Sequence, residues 1–165
     1  MPAYFFESSA FVKRFAPERG SKFVLSLLRP LARNRFYAAR ITEVEVCAAL
    51  IRRQRGKTIS AAQAAKALRR LRRDFPRRFT HIAINEDVIV EALRLAETYG
   101  LRGYDAVQLS AALEANGERL GRGLLPLILV SADTELNNAA QTEGLTIEKS
   151  KQLSVMTGGL TSQWT

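Results

Sequence analysis

The stretch Leu127-Ile128-Leu129-Val130-Ser131-Ala132-Asp133-Thr134-Glu135-Leu136 decides how the chain folds. Its first four residues form an unbroken apolar run with branched side chains. Such a run suits a strand buried on both faces, as in a parallel sheet, better than a strand with one wet face. Asp133 follows the run closely and is a favoured N-cap, so a helix is expected from Asp133 to about Glu143, where Gly144 breaks it. Leu145-Thr146-Ile147 then reads as a last short strand.

The same grammar repeats toward the N-terminus. Tyr4-Phe5-Phe6 reads as a strand, and Ser8 and Ser9 offer capping hydroxyls to a helix through about Phe15, which Pro17 stops. A helix is expected from about Glu18 to Leu31, with Phe23, Leu27, Leu28 and Leu31 at helical spacing and Pro30 at its end. Phe36 to Arg40 is a strand. Thr42 to about Gln54 is a helix with the apolar stripe Val44, Cys47, Ala48 and Ile51, and Gly56 marks its end. Ser60 caps the next helix, with Ala61, Ala64, Ala65, Leu68, Leu71 and Phe75 inward and Pro76 as its stop. Thr80 to Ile84 alternates as a strand does. Asn85 caps a helix to Tyr99, closed by Gly100, and a further helix runs from about Tyr104 to Asn116. Strands alternating with helices indicate an α/β architecture with a largely parallel sheet. Residues 1–148 read as one domain and 149–165 as a tail without periodicity, expected to be loosely held.

Hydrophobic residues make up 47% of the 165 and charged residues 25%, which is ordinary for a globular domain with its own core. The single cysteine, Cys47, excludes an internal disulfide. No apolar run approaches the ~20 residues of a membrane span, and the opening residues lack a signal peptide's basic and apolar regions. A cytoplasmic protein with no membrane partner is expected. The net charge of +9 is concentrated: residues 52–78 hold eleven basic residues and one acid, Asp74. Among them Arg52, Arg53, Arg69, Arg70, Arg72 and Arg73 are the candidate contacts for a polyanion such as a nucleic acid, weighed against a merely solvated helical face.

Four acids are candidates for chemistry. Glu7 directly follows the first strand and Asp133 the clearest one, and ligands of parallel sheets sit beyond the carboxyl ends of strands. Glu45 borders the apolar face of its helix, with Ile41 and Ala48 as helical neighbours. Asp105 has Leu109 and Ala112 on its side, and a carboxylate on an apolar face is costly unless paired or bound to a metal. Each acid alone also fits a structural role, as a helix cap or a first-turn anion at the helix dipole. Together they form an oxygen-only ligand set of the kind that suits Mg²⁺ or Mn²⁺. Cys47 on an apolar stripe, lone His81 in a strand and the short Gly121-Arg122-Gly123 offer no competing constellation.

The motifs around these acids resemble those of PIN-domain proteins, particularly VapC-type toxins of type II toxin–antitoxin pairs. Phe5-Phe6-Glu7-Ser8-Ser9-Ala10-Phe11-Val12-Lys13-Arg14-Phe15 resembles the family's opening. Thr42-Glu43-Val44-Glu45 resembles its second motif and selects Glu45 over Glu43. Gly103-Tyr104-Asp105-Ala106-Val107-Gln108-Leu109 resembles the third, and Val130-Ser131-Ala132-Asp133 the fourth. The resemblance implies a three-layer α/β/α sandwich and an acidic site for Mg²⁺ or Mn²⁺. Glu7, Asp105, Asp133 and Glu45 would be its metal ligands and catalytic acids, with Ser9 and Ser131 supporting them. It further implies endonucleolytic cleavage of RNA to 5′-phosphate and 3′-hydroxyl ends, a homodimer, and a VapB-like antitoxin as partner. The family normally has Asp where Glu7 stands. The extra methylene moves the carboxylate roughly 1–1.5 Å, and a misplacement near 1 Å can cost ~10²-fold in rate. Glu7 therefore leaves open a tolerated variant, a weakened nuclease, or an inactive module that binds RNA or a partner through the same fold. A DNA-directed nuclease is a further rival.

Overall fold

The computed structural model describes residues 1–16, 18–29 and 34–149, with Lys149 by its backbone alone. In chain order the elements are β1 (Ala3–Phe6), α1 (Ser8–Phe11) running into a 3₁₀ turn (Val12–Arg14), α2 (Ser21–Leu27), β2 (Arg35–Ala39), α3 (Thr42–Arg55), α4 (Ala61–Arg78), β3 (Thr80–Ile82), α5 (Glu86–Tyr99), α6 (Gly103–Gly121), β4 (Leu127–Ser131), α7 (Thr134–Thr142) and β5 (Thr146–Lys149). The five strands form one sheet in the order β3-β2-β1-β4-β5, and all four pairings are parallel.

Alternation along the strands divides the apolar residues between two cores. Ala3 and Phe5 of β1, Ala39 of β2 and Leu127 and Leu129 of β4 pack with α5, α6 and α7 on one face. Phe6, Phe36, Ala38 and Val130 pack with α1, α3 and α4 on the other. Both faces of the sheet are covered, which is why its central strands read as continuous apolar runs. This is the three-layer α/β/α sandwich that the resemblance implied.

An aromatic cluster holds the second core. Phe11 stands over Phe79 with ring centroids 4.7 Å apart, and Phe6 meets Phe11, Phe36 and Phe79 edge-on. These contacts fix the direction in which α1 leaves β1, and with it the placement of Glu7, Ser8 and Ser9.

Several element boundaries differ from the sequence reading. Glu7, not Ser8 or Ser9, caps α1, its side chain accepting from the Ser9 backbone N–H. The described part of the second helix is only Ser21–Leu27, and Pro17, Pro30 and Leu31 lie outside the described residues. Pro76 does not end α4, which runs two residues further. The burial of Phe75 and Phe79 in the aromatic cluster holds that last turn in place despite the missing N–H. Ala61 and Ala65 face solvent, because the buried stripe of α4 is Ala64, Ala67, Leu71, Asp74 and Phe75. On α3 the buried stripe is Thr42, Val46 and Leu50, while Val44 is 61% exposed beside half-buried Cys47, Ala48 and Ile51. The helix α6 continues past Asn116 to Gly121 because Arg119 anchors its end. That side chain is buried against Tyr37, and its Nε donates to the Leu125 carbonyl at 3.0 Å. The tail beyond Lys149 lies outside the described residues. Among those described, no helix is long and apolar enough to cross a membrane.

Candidate active site

From β1 the sheet grows one way through β2 to β3 and the other way through β4 to β5. The chain thus reverses its direction of winding between β1 and β4, and the crevice beyond their carboxyl ends is the place where an open parallel sheet accepts a ligand. Phe6 is paired with Val130 at the last register position, and the Glu7 N–H donates to the Val130 carbonyl at 3.1 Å. Glu7 and Ser131 therefore emerge side by side at that crevice.

The Glu7 carboxylate is spent on its neighbours. Oε1 accepts from the Ser9 N–H at 2.9 Å, and Oε2 accepts from the hydroxyls of Ser9 and of Ser131, the latter at 3.1 Å. Ser9 in turn accepts from the Ala132 N–H and Ser131 from the Asp133 N–H, both at 3.0 Å. The two strand ends are knitted into one small polar loop. Glu7 is 4% exposed, and burial pushes its pKa up to about 7. The bonds from Ser9 and Ser131 oppose that rise, while the charge of Glu45 adds to it.

Glu45 lies in the first turn of α3 and is half-buried. Its Oε2 accepts from the Ser8 hydroxyl and from the Gln108 side-chain amide. Glu43 points elsewhere and pairs with Arg40 at 3.2 Å. Asp105 lies in the first turn of α6 without being its cap, a position held by Arg102. Burial raises its pKa, the charges of Asp133 and Glu45 raise it further, and Arg102 pulls it down. Asp133 does cap α7, accepting from the Leu136 N–H at 2.9 Å. The starts of α1, α3, α6 and α7 thus carry the four acids, with Glu45 in electrostatic reach of both Glu7 and Asp105, and Asp105 in reach of Asp133.

Gln108 completes the site and is the residue that sequence reading passed over. It is 1% exposed, and its amide nitrogen donates to Ser8 Oγ at 2.8 Å and Thr42 Oγ1 at 2.9 Å as well as to Glu45. It ties the starts of α1, α3 and α6 together. Its place three residues after Asp105, on a helical face otherwise of Leu and Ala, was the available signal.

Among the described residues, no three His, Cys, Asp or Glu side chains stand close enough to hold an ion as they are placed. The hydrogen bonds say why. Glu7 is folded onto Ser9 and Ser131, Glu45 onto Ser8 and Gln108, and Asp133 onto the N-terminus of α7. The donor set is nonetheless all oxygen, and burial together with neighbouring carboxylates disfavours the bare anions of Glu7 and Asp105. That chemistry fits a hard divalent cation.

The candidate arginines are not brought into this cluster. Arg52, Arg69, Arg70, Arg72 and Arg73 are exposed along α3 and α4, whereas Arg53 pairs with Glu18. Asp74 draws Arg73 at 2.7 Å and Arg70 at 3.6 Å and is bonded to buried Arg14.

A parallel α/β/α sandwich with carboxylates gathered at its topological switch point defines a class of small acid-site domains. The family model described as PIN domain matches residues 4–141, and the chain belongs to the PIN-domain family, whose members are generally nucleases. Solved structures with the same fold include a toxin–antitoxin complex from Klebsiella pneumoniae, at 22% identity and a TM-score of 0.54 over 79% of this chain and 87% of that one. FitAcB from Neisseria gonorrhoeae is similar at 15% identity and a TM-score of 0.60, over 91% of this chain and 99% of that one. VapBC2 from Rickettsia felis, bound to a DNA fragment from its promoter, is similar at 15% identity and 0.58, over 89% and 98%. Comparison with curated protein sequences yields no match.

Proposed function

We propose that the chain is a Mg²⁺- or Mn²⁺-dependent endoribonuclease that acts as a VapC-like toxin and is restrained by a VapB-like antitoxin. The observation that carries this reading is the convergence of Glu7, Glu45, Asp105 and Asp133 on the β1–β4 crevice, with Glu7 and Asp105 pushed toward protonation by burial first and by neighbouring carboxylates second. Asp105, Asp133 and Glu7 would hold the ion. When bound, the ion supplies charge neutralisation at the scissile phosphate and lowers the pKa of water. Glu45, kept in place by Ser8 and Gln108, would join the ligands or orient the attacking water as base. Ser9 and Ser131 would hold Glu7 in orientation. The acids repel RNA, and the exposed arginines of α3 and α4 offset that repulsion through phosphate contacts.

The structural neighbours described as toxin–antitoxin complexes support an antitoxin partner. So does a groove of about 510 Å³ between α3 and α4, floored by Val44, Cys47, Ile51 and Leu68 and rimmed by Arg52 and Arg72. It suits an amphipathic helix with acidic flanks. The alanine-bearing faces of the same helices would also serve a homodimer.

Substrate class is tested by incubating the purified protein with matched single-stranded RNA and DNA in Mn²⁺. Cleavage of RNA alone, leaving 5′-phosphate ends, supports the reading, and cleavage of DNA alone contradicts it. The specific rival is a non-cutting RNA-binding module, favoured by the substitution of Glu at position 7. It predicts RNA binding without cleavage and no calorimetric heat of Mn²⁺ binding.

A further inference from the structure

The acid site leaves a basic cleft between α2 and α4 unexplained. Arg14, Lys22, Lys66 and Arg70 surround an open cavity of about 540 Å³ whose apolar part includes Phe15 and Ile59. That volume lies within the roughly 300–1,000 Å³ of small-ligand pockets. Among the described residues no acid lines it. Two of these cations, Arg14 and Arg70, share one acid, Asp74, which also pairs with Arg73, and Lys13 on the cleft wall pairs with Glu18, so Lys22 and Lys66 are the cations left for a ligand. Lys22 and Lys66 are exposed.

Arg14 makes the cleft more than a patch of surface charge. Its side chain is 5% exposed, and its Nε is buried without any hydrogen-bond partner. Burial lowers its pKa, the bond to Asp74 opposes this, and the charges of Arg70 and Arg78 push it down again. Asp74 thus answers one side of a buried guanidinium whose Nε has no acceptor, with Lys22, Lys66 and Arg70 close by and a single acid among them.

We propose that this cleft binds one nucleotide of an RNA strand, its phosphate held among Lys22, Lys66 and Arg70 and its base laid against Phe15 and Ile59. The mixed lining points to a nucleotide, because ammonium and guanidinium groups match phosphate oxygens while an aromatic floor accepts any base by stacking. The cleft is also near the acids. Arg14 follows Glu7 along α1 and its 3₁₀ continuation, a rise of about 10 Å at ~1.5 Å per residue, so a short strand reaches from one to the other. Anchoring a nucleotide here would set which bond lies over the carboxylates. The proposal rests on the reading of the chain as an RNA-acting protein.

The test is fluorescence anisotropy with a labelled single-stranded RNA in EDTA, so that binding is read without cleavage. Lys22→Glu/Lys66→Glu is compared with Arg52→Glu/Arg72→Glu, which makes the same charge change on the α3–α4 groove. Circular dichroism and the melting temperature confirm that both fold. The cleft variant is expected to lose about tenfold or more affinity, to lose more than the groove variant, and to flatten the salt dependence by a slope of about 0.7, the share of one phosphate on a single strand. An equal or smaller loss than in the groove variant overturns the cleft. If the wild type cuts RNA in Mn²⁺ and the cleft variant keeps its affinity, the cleft falls and the nuclease stands. If the cleft variant loses affinity and even the wild type never cuts, the cleft stands and the nuclease falls.

Discussion

Glu7 has an observed role and a proposed one, and the two pull against each other. As the cap of α1 it is bonded and buried, which fixes two strand ends. As a ligand it must be charged and facing the crevice. Its pKa, raised to about 7, gives a sign that can be measured. Folding favours the protonated form, so the stability this group contributes is full below the unfolded value near 4.5 and is lost as pH rises through about 7. In metal-free buffer, Glu7→Gln should therefore melt higher than the wild type at pH 8 and close to it at pH 4. A gap that does not grow with pH contradicts the burial account. Glu7→Asp, which draws the carboxylate away from Ser131, should raise Mn²⁺-dependent cleavage by about tenfold or more, since misplacement near 1 Å costs rate on that order. Unchanged rate would mark Glu7 as a tolerated variant. Asp133 was readable as a cap from its place before Thr134, and its place beyond a strand end was readable too, but not which strand lies beside it. Gln108 left only a faint signal, a polar residue on an apolar helical face, and its role could not be read until the opposing Ser8 and Thr42 were placed.

At the scale of elements, the first turns of four helices hold the site and Gln108 joins three of them. Gln108→Leu leaves the Glu45 carboxylate and the Ser8 and Thr42 hydroxyls without their shared donor. The expected cost is about 1–3 kcal/mol in urea denaturation. The variant's RNA cleavage should fall with it, and recovery of stability without recovery of cleavage in a stabilised background would show a positioning role. Another prediction concerns α6, where exposed Gly117 has open space around the position of a Cβ. Gly117→Ala should stabilise by roughly 0.5–1 kcal/mol, and a loss would show that α6 is not continuous to Gly121. Strand positions were legible because their apolar runs are short and bounded. The ends of α4 and α6 were not. Pro76 and Gly117 are local stop signals, overridden by distant contacts from Phe79 and Arg119.

For the whole molecule, charge is arranged in two territories: acids at the β1–β4 crevice, cations along α2, α3 and α4. Asp74 is the hinge of the second. Burial alone would raise its pKa, but bonds and charges from Arg73 and Arg14 hold it at about 2. Asp74→Ala would leave Arg14 buried and unpaired, at a cost of about 3–5 kcal/mol, read as a lowered denaturant midpoint. A loss below about 1 kcal/mol would show the pair to be solvated after all. The α/β class and parallel sheet were legible from alternation and from Leu127 to Val130. Strand order was not, since nothing local in β1 says that both β2 and β4 lie beside it. That order is what sets Glu7 and Asp133 at one crevice; the motifs named the acids as one site, and the geometry of that site came only with the fold.

The central claim is that Glu7, Glu45, Asp105 and Asp133 act as one metal-dependent cutting site. Its most direct test is cleavage of a labelled single-stranded RNA at pH 8 by the wild type in Mn²⁺, by the wild type in EDTA, and by Asp105→Asn in Mn²⁺. The account predicts cleavage in the first case, none in the second, and a loss of about 10²-fold or more in the third with the fold intact. Cleavage that persists in EDTA and survives Asp105→Asn would contradict it.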